Sequence, residues 1–135
     1  MFGVKRASVG GKFPFVSSYK GLHEILTDHK LAALGDAYVN FVYSLALSKK
    51  IGEPTGARVD SRILAEALRR AGLRNLLPPR TDRHKQADAA EALIVYAWIQ
   101  GLMTIEEGVS VLEQHEDATE AFCLLLLTTR KKLNL

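Results

Sequence analysis

The sequence predicts an all-α domain of six to seven helices. Three observations carry that prediction. Two stretches, 31–50 and 87–99, are apolar over most of their length, with residues recurring at three and four steps. Helix-capping residues stand in front of nearly every apolar run: Thr27 or Asp28, Asp60 or Ser61, Thr81 or Asp82, Thr104 and Asp117. No segment alternates apolar and polar residues as a half-buried strand does.

Taken in order, residues 1–18 are rich in Gly and Ser and read as a loose arm, with Phe13 and Phe15 able to dock. Residues 19–135 read as a single helical domain. Ser17 or Ser18 can cap a short helix over 19–26 with Leu22, Ile25 and Leu26 facing in. The next helix, 31–50, is apolar nearly all round and is expected inside the domain. Gly52, Pro54 and Gly56 make 51–57 a turn region. A third helix follows from Ser61, with Ile63, Leu64, Ala67 and Leu68 as its inner stripe and Gly72 at its end. After Pro78-Pro79 a fourth helix starts polar and becomes apolar from Ala87 until Gly101. Thr104 and Glu107 form a capping box for a fifth helix to about Gln114. A sixth ends in Arg130, Lys131 and Lys132, as the helix dipole prefers. Trp98 and the Leu run at 124–127 read as core.

Composition narrows the class. A 135-residue chain with 47% hydrophobic residues can bury one sizeable core and is not a disordered protein. The net charge is +3, but the segment 58–85 holds eight Arg or Lys against three acids, so one stretch carries the positive field. By default such a cluster is a solvated face; as a binding face it suits a polyanion. The single Cys123 excludes an intrachain disulfide, suggests a buried inert thiol and favours a cytoplasmic setting. The first residues lack the apolar core of a signal peptide, and the apolar run 121–127 is far short of a bilayer span, so no membrane partner is expected. Gly10-Gly11-Lys12 lacks the wider pattern of a phosphate loop, and the four His show no zinc spacing.

The acids on the two apolar helices are the candidates for chemistry. Asp36 lies in the first; Asp88 and Glu91, three apart and so on one helical face, lie in the second. Two apolar helices in one small domain must cross, which can bring all three acids together. Clustered carboxylates repel and are costly to desolvate, and a hard divalent cation such as Mg²⁺ relieves both costs. With a basic segment to hold a polyanion, metal-dependent hydrolysis of a nucleic-acid backbone follows as a reading. Structural readings stand beside it. Asp36 after Gly35 can be an N-cap for a helix beginning at Ala37, Asp88 and Glu91 can sit in a first helical turn, and Glu66 can pair with Arg62 or Arg70.

The same residues resemble the catalytic domain of ribonuclease III. Leu34-Gly35-Asp36-Ala37 resembles the centre of that family's signature helix, and Leu64-Ala65-Glu66 resembles a stretch of the helix that follows. The segment from Ala87-Asp88 through Glu91-Ala92-Leu93-Ile94 resembles its second acidic helix. The order and approximate spacing agree over roughly residues 20–103. Small archaeal ribonuclease III-like proteins and bacterial Mini-III enzymes, which lack a double-stranded-RNA-binding domain, are the nearest likeness; these 135 residues leave no room for one. The resemblance implies an all-helical, homodimeric endonuclease domain that cuts double-stranded or structured RNA and leaves 5′-phosphates. It implies Asp36 and Glu91 as catalytic, and Asp36, Asp88 and Glu91 as ligands of Mg²⁺ (or Mn²⁺), with Glu66 as a supporting acid. Arg58, Arg62, Arg69, Arg70, Arg74, Arg80, Arg83 and Lys85 are the candidates for RNA phosphates. The fuller signature carries two further glutamates, and here those positions are His29 and Ala32. That departure motivates an alternative on the same fold, a non-catalytic RNA-binding or scaffold dimer. A helical protein-interaction module, using the acidic stretch 106–120, is a third.

Overall fold

The structure, a computed structural model, describes residues 13–16 and 18–134. Most of the glycine-rich arm, 1–12, and the expected cap Ser17 lie outside the described residues. The helices are α1 (Leu22–Leu26), α2 (His29–Ile51), α3 (Ser61–Arg70), α4 (Arg83–Ile99), α5 (Ile105–Leu112) and α6 (Ala118–Leu133), with a 3₁₀ turn at Arg74–Leu76. No strand occurs among the described residues.

The caps set the boundaries. Asp28, Asp60, Asp82 and Asp117 each accept backbone N–H donors of the first turn of the helix that follows. Thr104 and Glu107 satisfy each other's backbone in a capping box. A cap of this kind is worth about 1 kcal/mol. The short first helix departs from expectation: it starts at Leu22 behind Gly21, with no side-chain cap. Tyr19 is not in it because its hydroxyl donates to the Asp28 carboxylate and its ring stands edge-on to Tyr96. α5 stops at Leu112, short of Gln114. Gly52 ends α2 at φ +81°, a conformation that costs a side chain.

α4 is the axis of the fold. It packs against α1, α2, α3 and α6, and every residue from Ala89 to Ala97 is buried. Its alanines, Ala87, Ala89, Ala90, Ala92 and Ala97, allow the neighbours to approach closely. α3 adds Leu64, Ala65, Ala67 and Leu68, and α6 adds Ala121, Phe122, Leu125 and Leu126. Ile63, expected on the inner stripe, is half-buried.

The apolar helix α2 is the main correction. It was expected inside, yet only Leu31, Ala32, Gly35, Val39 and Val42 are buried. Leu34 is 39% and Phe41 53% exposed, and Ala33 and Ala37 are exposed as well. The reason is one of room: in a chain this short only α4 is surrounded, so α2 lies outside it with one face on α4 and α5. α2 is also the one described helix long and apolar enough to cross a membrane. Two further expectations shift. Trp98 is half-buried beneath the rings of Phe13 and Tyr38, at 5.4 and 5.2 Å. In the Leu run, Leu125 and Leu126 are buried, whereas Leu127 is exposed and Cys123 and Leu124 are half-buried. Partial burial pushes the Cys123 thiol up, which leaves it less reactive.

Candidate active site

The site grows from one close helix crossing. A Cβ placed on Gly35 would stand 2.3 Å from the Glu91 carbonyl oxygen and 2.6 Å from its carbon. Glycine therefore lets α2 rest directly on the backbone of α4. Asp36 comes next in the chain and is carried to the rim of that contact. It is a mid-helix residue, since α2 runs unbroken from His29, so the capping alternative does not hold.

Across the crossing, the Glu91 side chain is nearly enclosed, with the residue 6% exposed. Burial, the nearby Asp36 carboxylate and Asp88 lift its pKa to about 8; Arg58 pulls the other way. Asp88, one turn earlier on α4 and half-buried, is also raised, mainly by burial. Asp36 and Asp82 add to that rise, while His29 and His84 oppose it. Asp36 accepts from Arg58 Nη2 at 3.4 Å and from Asn40 Nδ2 at 3.2 Å. Asn40 also donates to the Asp36 carbonyl at 2.8 Å, and its Oδ1 accepts the Val59 N–H at 2.7 Å.

The structure thus brings Asp36 and Glu91 into one site with Asp88 beside them. As the side chains stand, no group of three or more His, Cys, Asp or Glu among the described residues is disposed to hold a metal ion. The donors nevertheless suit a hard cation: all are oxygens, and burial with the repulsion of Asp36 and Asp88 lifts Glu91, costs that a bound divalent ion would offset. A cleft of about 280 Å³ adjoins Asp88, lined by His29, Ala32, Arg80, Thr81 and Lys85 among others. The two positions where the fuller signature has glutamates therefore face this cleft.

Other expected residues have other partners. Glu66, the expected supporting acid, pairs with Arg69 and Arg70 on its own helix; Arg70 reaches on to Glu120 at 2.7 Å. Three- and four-residue spacing makes that pairing the local default. Arg62 pairs with Asp60 at 3.2 Å. Arg74 turns inward and donates to the carbonyls of Leu77, Pro78 and Pro79, closing the loop rather than facing a ligand. Of the eight expected phosphate contacts, Arg80, Arg83 and Lys85 are the exposed ones with no acidic partner within salt-bridge distance among the described residues.

Sequence reasoning missed Asn40 and the contact between Arg58 and Asp36. The signal was present: Asp36, Asn40, Ser44 and Ser48 form a polar row at every fourth position of a helix that is otherwise apolar.

A helical domain with acids gathered at one crossing and unpaired cations nearby has the features of a protein that handles a polyanion. The chain belongs to the ribonuclease III family: a family model described as Ribonuclease III matches residues 29–132, the span from the start of α2 almost to the end of α6. That family consists of RNA endonucleases that generally depend on divalent metal. No curated protein matches the chain at a significant level.

Proposed function

We propose that this chain is a Mg²⁺-dependent endoribonuclease, with Mn²⁺ able to substitute, and that it hydrolyses phosphodiester bonds of double-stranded or structured RNA. The observation that carries the proposal is Glu91: a buried carboxyl set against Asp36, with Asp88 one turn away, at a crossing that only glycine permits. A fold gains nothing in stability from such an arrangement, so a ligand is the economical explanation.

In the reaction, the oxygen of a water molecule attacks phosphorus and the P–O3′ bond breaks. A proton goes to the departing 3′ oxygen, and the products are a 5′-phosphate and a 3′-hydroxyl. Asp36, Asp88 and Glu91 would hold the divalent cation, which would supply positive charge beside the phosphate as negative charge develops there. Burial and the neighbouring Asp36 favour the protonated form of Glu91 near neutral pH, and Glu91 would have to give up that proton to hold the cation. Arg80, Arg83 and Lys85 bind phosphates along the backbone, which makes affinity fall with salt and leaves base sequence largely unread.

The assembly we propose is a homodimer. Leu34, Ala37 and Phe41 form an exposed apolar row on α2, with Leu34 beside a cleft to which Phe15 contributes. A second copy related by a two-fold axis would cover this row and set two sites on one body, one for each strand of a duplex.

The test is cleavage of a long labelled RNA duplex with and without Mg²⁺, wild type beside Glu91→Gln. Metal-dependent cutting by wild type alone is the expected result. His29 and Ala32 in place of glutamates favour one second reading, a non-catalytic RNA-binding dimer. Salt-sensitive binding by both proteins with no cutting would establish that reading instead.

A further inference from the structure

The loop between α2 and α3 is fixed to α2 by a ladder of side chains. Ser48 Oγ donates to the Thr55 carbonyl at 3.2 Å and accepts the Thr55 N–H at 2.9 Å. Ser44 Oγ does the same for Ala57, at 3.1 and 2.9 Å. Asn40 Oδ1 accepts the Val59 N–H at 2.7 Å. The match has a geometric basis: four helical residues rise about 6 Å, close to the length of two extended residues, so every fourth side chain of α2 meets every second residue of the loop. The two run antiparallel, and the next rung beyond Asn40 is Asp36. Asp36 meets not the loop backbone but the guanidinium of Arg58, whose residue lies between the rungs at Ala57 and Val59.

This last rung differs in kind from the others. The contact is a single one at 3.4 Å, and the Arg58 side chain is 76% exposed. An exposed pair of this length adds little to stability, and most of the guanidinium donors remain uncommitted. Five hydrogen bonds from side chains of α2 to the loop backbone thus hold in place the segment from which Arg58 reaches Asp36. Guanidinium is the side-chain group best matched to two oxygens of a phosphate.

We propose that Arg58 is a catalytic residue that grips a non-bridging oxygen of the scissile phosphate, and that it leaves Asp36 when a cation binds there. The proposal rests on the endoribonuclease reading above. It makes two predictions of opposite sign. Removing Arg58 takes away a charge that competes for Asp36, so divalent metal should bind about two- to fivefold more tightly. The same change removes a donor to the charge developing on the phosphate, so cleavage should slow about 100-fold.

The experiment uses the full chain as wild type, Arg58→Ala and Arg58→Lys. One arm measures single-turnover cleavage of a labelled RNA duplex at saturating RNA and Mg²⁺. The other titrates Mn²⁺ without RNA and follows the rise in melting temperature. Slower cutting with a lower Mn²⁺ midpoint in Arg58→Ala, and at least tenfold recovery of rate in Arg58→Lys, is the expected result. Wild-type cutting by Arg58→Ala would make Arg58 a counter-ion only and overturn the proposal. Loss of cutting together with weaker Mn²⁺ binding would overturn it too, by showing that Arg58 merely holds the site in shape. A wild type that binds Mn²⁺ but does not cut would overturn the underlying reading itself.

Discussion

Glu91→Gln should make the metal-free protein more stable at alkaline pH. The folded environment lifts the Glu91 pKa from an ordinary 4.5 to about 8, through burial and the neighbouring Asp36 and Asp88. Below pH 4.5 the carboxyl is protonated in both the folded and the unfolded chain, so no cost exists. Between 4.5 and 8 the folded chain keeps a proton that the unfolded chain has released, and stability falls as pH rises. Above 8 the full cost is present. At 1.36 kcal/mol per pKa unit that cost is at most roughly 5 kcal/mol. Water penetration and side-chain adjustment reduce it to about 2–3 kcal/mol. Glutamine keeps the shape, carries no charge at any pH, and escapes the cost. For 135 residues, about 2–3 kcal/mol corresponds to roughly 7–10 °C in melting temperature. Thermal melts of both proteins from pH 4.5 to 9 in a chelating buffer measure this difference. The two curves should meet near pH 4.5 and separate progressively to pH 9. Groups remote from Glu91 cancel in the comparison. Curves that stay parallel, or a glutamine variant that melts lower at pH 9, would refute the idea of a buried, repelled carboxyl. Adding Mg²⁺ should raise the wild type at pH 8–9 and leave Glu91→Gln nearly unmoved.

Gly35→Ala should destabilise the fold by several kcal/mol, because the new methyl meets Glu91 backbone at 2.3 Å and backbone cannot step aside as a flexible side chain can; a urea midpoint unchanged from wild type would contradict the crossing. Thr129 is fully buried, with a hydroxyl that finds no partner among the described residues. Thr129→Val should therefore be neutral or stabilising by about 1 kcal/mol, and clear destabilisation in a denaturant melt would reveal a hydrogen bond. Phe41→Glu places a charge on the exposed apolar row of α2 and should halve the mass measured by light scattering, while the melting temperature of the monomer stays within a few degrees. An unchanged mass would move the subunit contact elsewhere.

Much of this molecule was legible as sequence. The aspartate caps, the capping box at Thr104 and Glu107, and the helical spacing that puts Asp88 and Glu91 on one face of α4 depend on residues only a few positions apart. Local spacing encodes such contacts directly. The signature around Gly35 and Asp36 likewise marked the helix that carries the candidate site.

What the sequence could not set was which apolar helix lies inside and which charge meets which. Residues 31–50 and 87–99 look equally apolar, but only one helix can be ringed by the others in a chain of this size. α4 took that place, and α2 was left with Leu34 and Phe41 in the open. The basic stretch shows the same limit. Eight cations lie within 28 residues, and their number was plain. Their use depended on which acids and carbonyls folding set against them: Arg69 and Arg70 went to Glu66, Arg74 to the loop carbonyls, and Arg58 to Asp36. Periodicity and capping act along the chain, so the sequence by itself determined the helices and the residues eligible for chemistry. Burial and charge pairing act between segments distant in sequence, so only the tertiary structure decided that Glu91 would be shut in near Asp36 and that Arg58 would reach Asp36.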